Sequence, residues 1–172
     1  WRPWRKAEKG CPRRSDTRSL NSRLLHVRMS EAFQKLKRTW EVLGAEDPFW
    51  AVVSLADKRG NRWDIDEFYA TGERDVERIL NLAGQAAGRR VQPEDVMDFG
   101  CGVGRLCRAW SSRVNRVTGV DVSRSMVEKG RQLLAGYGNV EFVVNDREDL
   151  LGFPDERFGL VASLICLQHM PW

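Results

Sequence analysis

Histidine is nearly absent from this chain, with two residues in 172, and cysteine is sparse at four. Cys11, Cys101, Cys107 and Cys166 form no C-x-x-C pair and no ladder of spacings. That argues against a zinc centre or a disulfide scaffold and suits a reducing, cytoplasmic compartment. No apolar run approaches the roughly 20 residues that a membrane span needs; the longest candidate is Leu160 to Leu167. No signal-peptide pattern precedes Met29. The expectation is a protein without a metal and without a membrane partner.

What is present is the balance of a globular protein, 42% hydrophobic and 30% charged, in a length that suits one domain with a sizeable core. The formal charge of +4 is unevenly placed. Trp1 to Arg28 carries nine Lys or Arg against two acids, whereas Met29 to Trp172 carries 19 against 22. A basic arm of this kind can bind nucleic acid or a membrane surface. It has no helical or alternating period, however, and regular patterning begins only at Met29. Residues 1–28 are therefore expected to be a disordered or non-native extension, and nucleic acid is not an expected partner.

From Met29 to Arg90 the pattern is helical. Phe33, Leu36, Trp40 and Leu43 fall at helical spacing, with Gly44 as the predicted stop. Phe49 to Val53 reads as a short helix or a strand, with Pro48 at a first helical turn favouring helix, and Lys58 to Asn61 reads as a turn. Asp64 and Glu67 form a capping pair for another short helix. Thr71-Gly72 leads into a longer one, with Val76, Ile79, Leu80 and Ala83 on its apolar face and Gly88 at its end. Residues 29–90 are thus expected to form an N-terminal helical cap.

From Val91 onward, strand and helix alternate. Apolar strands centre near Met97, Val117, Val143 and Val161, with helical patterns over Val103 to Ser112 and from Ser123 to Leu134. Gaps of roughly twenty residues suit the crossovers of a parallel α/β sheet. Such a sheet places its first and fourth strands side by side, with a ligand above their carboxyl ends.

The first strand runs into Asp98-Phe99-Gly100-Cys101-Gly102-Val103-Gly104, and the second ends in Asp121. Glycines at such a turn permit positive φ and close approach of a ligand, while the helix that follows offers unpaired N–H groups. A dinucleotide-binding turn reads G-x-G-x-x-G and holds a pyrophosphate. Here the third glycine comes one residue early, and Asp98 would repel a phosphate but attract a cation. An NAD-dependent oxidoreductase is therefore the weaker alternative, as is a nucleic-acid-binding module built on the basic arm.

The strand, glycine turn and second acid together resemble the first two motifs of class I S-adenosylmethionine-dependent methyltransferases of the bacterial small-molecule type. The resemblance implies a Rossmann-like parallel sheet, S-adenosylmethionine as cofactor and methyl transfer to a small-molecule nucleophile. Asp98 and the backbone of Gly100, Cys101 and Gly102 would face the methionine moiety, and Gly104 would let the next helix pack closely. Asp121 would accept the ribose hydroxyls, unless it is a solvated acid at a helix entrance. Val122 and Met126 would flank the adenine, although Met126 could equally be helix core. Asp146, after the third strand, matches the acid that binds the adenine amino group, with a surface cluster of charges as the competing reading.

Tyr69 and Thr71 match a segment that covers the donor in some members, with helix packing as the competing explanation. The segment Leu167 to Pro171 resembles one placed against donor and acceptor, so His169 is the candidate general base, or only a positional residue. Gly159 stands where the family's fourth strand carries an acid. Residues 91–172 would hold strands one to four and lack the fifth to seventh, so the expectation is an incomplete domain with impaired activity and an open sheet edge.

Overall fold

The computed structural model describes residues 29–170. The expectations for residues 1–28 lie outside that range.

Helix α1 (Glu31–Glu46) opens on Ser30, whose side chain accepts from the Phe33 amide, and α2 (Pro48–Val52) follows at once. Asp47 joins them. Its backbone N–H donates to Leu43 O at the end of α1, and its carboxylate accepts from Trp50 N at the start of α2. The same carboxylate accepts from Gly60 N at 2.6 Å and Asn61 N at 3.0 Å, which fixes the predicted turn. Asp47→Ala therefore removes a cap and a loop anchor together. It should cost about 1–2 kcal/mol in urea denaturation, and an unchanged midpoint would contradict this account.

Two helix boundaries differ from expectation. Gly44 does not stop α1, which runs on to Glu46; a Cβ at that position would lie 2.7 Å from Ser125 Oγ and 2.8 Å from Met126 Cγ. Glycine here serves the close approach of α1 to Ser125 and Met126. Asp64 does cap a helix, through the Glu67 amide at 2.9 Å, but that helix is long: α3 (Ile65–Ala87) is continuous through Thr71-Gly72. A Cβ on buried Gly72 would collide with the carbonyl of Arg105. The glycine lets α3 lie against α4 (Arg105–Ser111) rather than breaking it. Gly88 closes α3 in the left-handed conformation, φ +63°, as predicted.

The sheet is parallel throughout, in the order β3-β2-β1-β4. Its strands are β1 (Asp95–Phe99), β2 (Arg116–Asp121), β3 (Val140–Val144) and β4 (Leu160–Ala162), each enclosing the predicted centre. Helices α4 and α5 (Arg124–Leu133) make the first two crossovers, and Ser123 caps α5 through the Met126 amide. The third crossover, residues 145–159, contains no helix, unlike the first two.

Trp110, Leu106 and Cys107 of α4, Val127 of α5, Val96 and Val117 of the strands and Phe68 and Val76 of α3 share one core. Sheet, crossovers and cap are therefore stabilised by a single body of buried apolar surface. Gly104, φ +84°, closes the turn before α4, where a Cβ would lie 2.6 Å from Phe142 Cζ. The glycine admits a strand side chain, Phe142 of β3, together with Leu134.

Candidate functional site at the carboxyl ends of the strands

Parallel strands leave their carboxyl ends together, and β1 and β2 bring Asp98 and Asp121 to one rim. The turn between β1 and α4 puts Gly100, Gly102 and Gly104 at φ +79°, +53° and +84°. Main-chain bonds fix it: Gly100 N and Cys101 N donate to Val120 O, and Gly104 N donates to Cys101 O at 2.9 Å. Side chains cover its outer face, since a Cβ on Gly100 would strike Cys166 Sγ and one on Gly102 would strike Val52 Cγ2.

Asp121 secures the turn from below. Its Oδ2 accepts from Gly102 N at 2.8 Å and its Oδ1 from Ser123 N at 2.9 Å. Burial pushes its pKa up, and these amide bonds pull it partly back. Asp98 is more isolated at 2% exposure. Burial raises its pKa to about 7, opposed by the Cys107 thiol bond and the charge of Arg105 and reinforced by Asp121. A buried carboxyl in this state gains most from a cation supplied from outside.

Val122, half-buried, follows Asp121 on the same rim. Cys101 is 3% exposed; its thiol lies 3.6 Å from Gly102 O, and burial drives its pKa well above the ordinary value. Met126 is 1% exposed and packs at the α1–α5 junction. Tyr69 is buried and donates to Val103 O at 3.3 Å. Thr71 donates to Phe68 O and accepts from Arg105 Nη1 at 3.1 Å. Asp146 is exposed and pairs with Lys37 at 3.7 Å. His169, also exposed, stands edge-on to Trp40 with ring centroids 5.1 Å apart.

Helix α1 links several of these points. Besides Trp40 and Lys37, its Glu41 accepts from Ser123 Oγ at 3.0 Å and from Ser125 N, close enough to Asp121 for its charge to be felt there. Ser30, the cap of α1, donates to Glu148. Glu41, Val52, Cys107 and Cys166 thus belong to the neighbourhood of the site although no sequence motif singled them out. They lie outside the glycine motif, and only the fold brings them to it.

A family model described as a methyltransferase domain matches residues 96–172. The ajmaline N-methyltransferase of Rauvolfia serpentina is 31% identical over 149 residues, 83% of this chain and 48% of that protein. The malonyl-[acyl-carrier protein] O-methyltransferase of Serratia marcescens is 31% identical over 119 residues, 69% of this chain and 42% of that one. Residues 96–172 thus carry a methyltransferase domain of the class I S-adenosylmethionine-dependent type.

The methyltransferase sheet is matched in three dimensions as well. Magnesium protoporphyrin IX methyltransferase of Synechocystis PCC 6803, solved with bound SAM, superposes with a TM-score of 0.54 at 21% identity, over 84% of this chain and 66% of that one. At this identity the likeness concerns the fold. The chain spans about half the length of the curated methyltransferases it matches, 48% and 42%. No similarity supports the oxidoreductase or nucleic-acid alternatives. Among the described residues no helix is long and apolar enough to cross a membrane, and no cluster of His, Cys, Asp or Glu could hold a metal ion.

Proposed function

We propose that this chain binds S-adenosylmethionine at the β1–α4 turn and takes part in methyl transfer to a small-molecule nucleophile. One observation carries the reading: a fully buried carboxyl with no cation bonded to it among the described residues, beside a turn of three left-handed glycines. The donor has an ammonium and a sulfonium and no phosphate, so its charge complements Asp98. A pyrophosphate would face repulsion there. The glycine faces suit it too. They take no Cβ, and the side chains resting on them come from Val52, the last residue of α2, and from Cys166, after β4.

When bound, S-adenosylmethionine supplies an activated methyl group on sulfur. Asp98 balances the ammonium, and Gly100, Cys101 and Gly102 present main chain to the methionine moiety. Asp121 accepts the ribose hydroxyls, while Val122 and Met126 border the adenine and Asp146 reaches its amino group. Tyr69 and Thr71 shape the wall contributed by α3. His169 takes a proton from an oxygen or nitrogen acceptor; its exposed position beside Trp40 leaves it open to such a group. Methyl transfer otherwise needs chiefly alignment, which a rigid rim provides. In this scheme residues 29–90 act as the cap and 91–172 as the donor-binding domain, in a cytoplasmic protein.

Asp121 offers the direct test. Asp121→Ala should weaken S-adenosylhomocysteine by about 1–3 kcal/mol in calorimetry through loss of charge-assisted hydrogen bonds. Equal affinity in the variant would remove Asp121 from the site. Tighter binding of NADH than of S-adenosylhomocysteine by the unaltered chain would overturn the cofactor itself.

A further inference from the structure

Cys107 is the third residue of α4, and it is fully buried. Its Sγ donates a hydrogen bond to Asp98 Oδ2 across 3.4 Å. Among the described residues, that is the one hydrogen bond made by the Asp98 side chain.

The other groups that face Asp98 are engaged elsewhere or carry the wrong charge. Arg105, at the start of α4, is the nearest cation. Its Nη1 is committed to Asp75 Oδ2 at 2.6 Å and to Thr71 at 3.1 Å, and its Nε is buried with no partner among the described residues. Asp121, at the end of β2, is a like charge. Cys101, in the turn, lies against Gly102 O, and Cys166, after β4, sits over Gly100.

We propose that Cys107 is a positioning residue for Asp98, whose thiol orients the carboxylate and favours its ionised form so that it can receive a cationic ligand. This rests on the reading of Asp98 as the partner of the donor ammonium. A thiol suits the task because it fits an apolar core as a small hydrophobe yet still donates weakly. Burial raises its own pKa to about 11, so it keeps its proton wherever Asp98 titrates. A filler role is the competing account, since a Cβ on Gly119 would lie 2.8 Å from Cys107 Sγ and 3.0 Å from Cys101 Sγ.

Two measurements on the full chain separate the accounts. In the first, S-adenosylhomocysteine affinity is followed against pH. In the unaltered protein it should rise as Asp98 ionises. Cys107→Ala should move the midpoint upward by about one pH unit, roughly a tenfold loss below it, and Cys107→Ser, which keeps a donor, should restore it. In the second, the infrared S–H stretch of Cys107 is followed in the ligand-free protein. It should shift to lower frequency as Asp98 ionises.

Midpoints equal in the unaltered protein and Cys107→Ala, or an S–H band blind to pH, would overturn the proposal while leaving the cofactor reading intact. If the S–H band titrates but S-adenosylhomocysteine does not bind, the cofactor reading and the ligand role of Cys107 fall. The thiol–carboxylate bond alone would stand. With Cys11, Cys101 and Cys166 replaced by serine so that one S–H band remains, the infrared measurement leaves Cys107 unaltered and decides the matter even if a Cys107 variant fails to fold.

Discussion

In the ligand-free protein, stability will fall as pH rises from about 4 to about 7, and Asp98→Asn will flatten that fall. The carboxyl of Asp98 keeps its proton up to about pH 7 in the folded chain because it is buried. In the unfolded chain it ionises near pH 4, at about the model-peptide value. Between those limits the folded state binds more protons, so stability is fully present below the unfolded pKa and is lost as pH passes through the folded one. The amplitude is on the order of a few kcal/mol. Asparagine cannot ionise, so the variant should be the more stable protein at pH 7 and above. Asp121, also raised, adds to the trend with the same sign and leaves part of the slope in the variant. Denaturant melts at a series of pH values give the comparison, and identical slopes in both proteins would contradict it. On the proposed reading of the site, function and stability therefore oppose each other at Asp98. The charge that a donor ammonium requires is the charge that the empty fold resists.

Trp110→Ala should produce the largest loss of stability of any change considered, about 3–5 kcal/mol. Trp110 is wholly buried in α4 and belongs to the core that joins cap, crossovers and sheet. Removing the indole would leave a cavity that rigid elements on several sides cannot fill. Trp110→Phe should cost much less than the alanine change. The indole Nε1 is buried with no partner among the described residues, so phenylalanine removes an unsatisfied donor along with some volume. Urea midpoints for the two variants provide the test. Equal losses would mean that the nitrogen is satisfied in solution.

The sheet was legible in the sequence because its strands are short apolar runs, buried on both faces in β1 and β2, and each of the four predicted centres lies within its strand. The glycine turn was equally plain, since backbone geometry and residue identity coincide at Gly100, Gly102 and Gly104. Gly44 and Gly72 were misjudged for the converse reason. A glycine that ends a helix and one that admits a neighbouring helix look alike in sequence, and only the presence of Ser125 or Arg105 opposite tells them apart. The helix-free third crossover was likewise invisible to a pattern set by the first two. The partners of the site, Cys107 on Asp98 and Glu41 near Asp121, depend on contacts between residues 9 and about 80 positions apart that no local pattern records.

Asp121 carries a last consequence. A carboxylate has about four lone-pair directions, and here one on each oxygen is taken by main-chain amides of the turn and of α5. Those bonds hold the side chain in one rotamer before any ligand arrives. Its conformational entropy is lost during folding, so binding a pair of neighbouring hydroxyls would not incur that loss again. Selectivity follows from the same rigidity. An acceptor fixed in direction can favour a diol of matching geometry over one that would require it to turn.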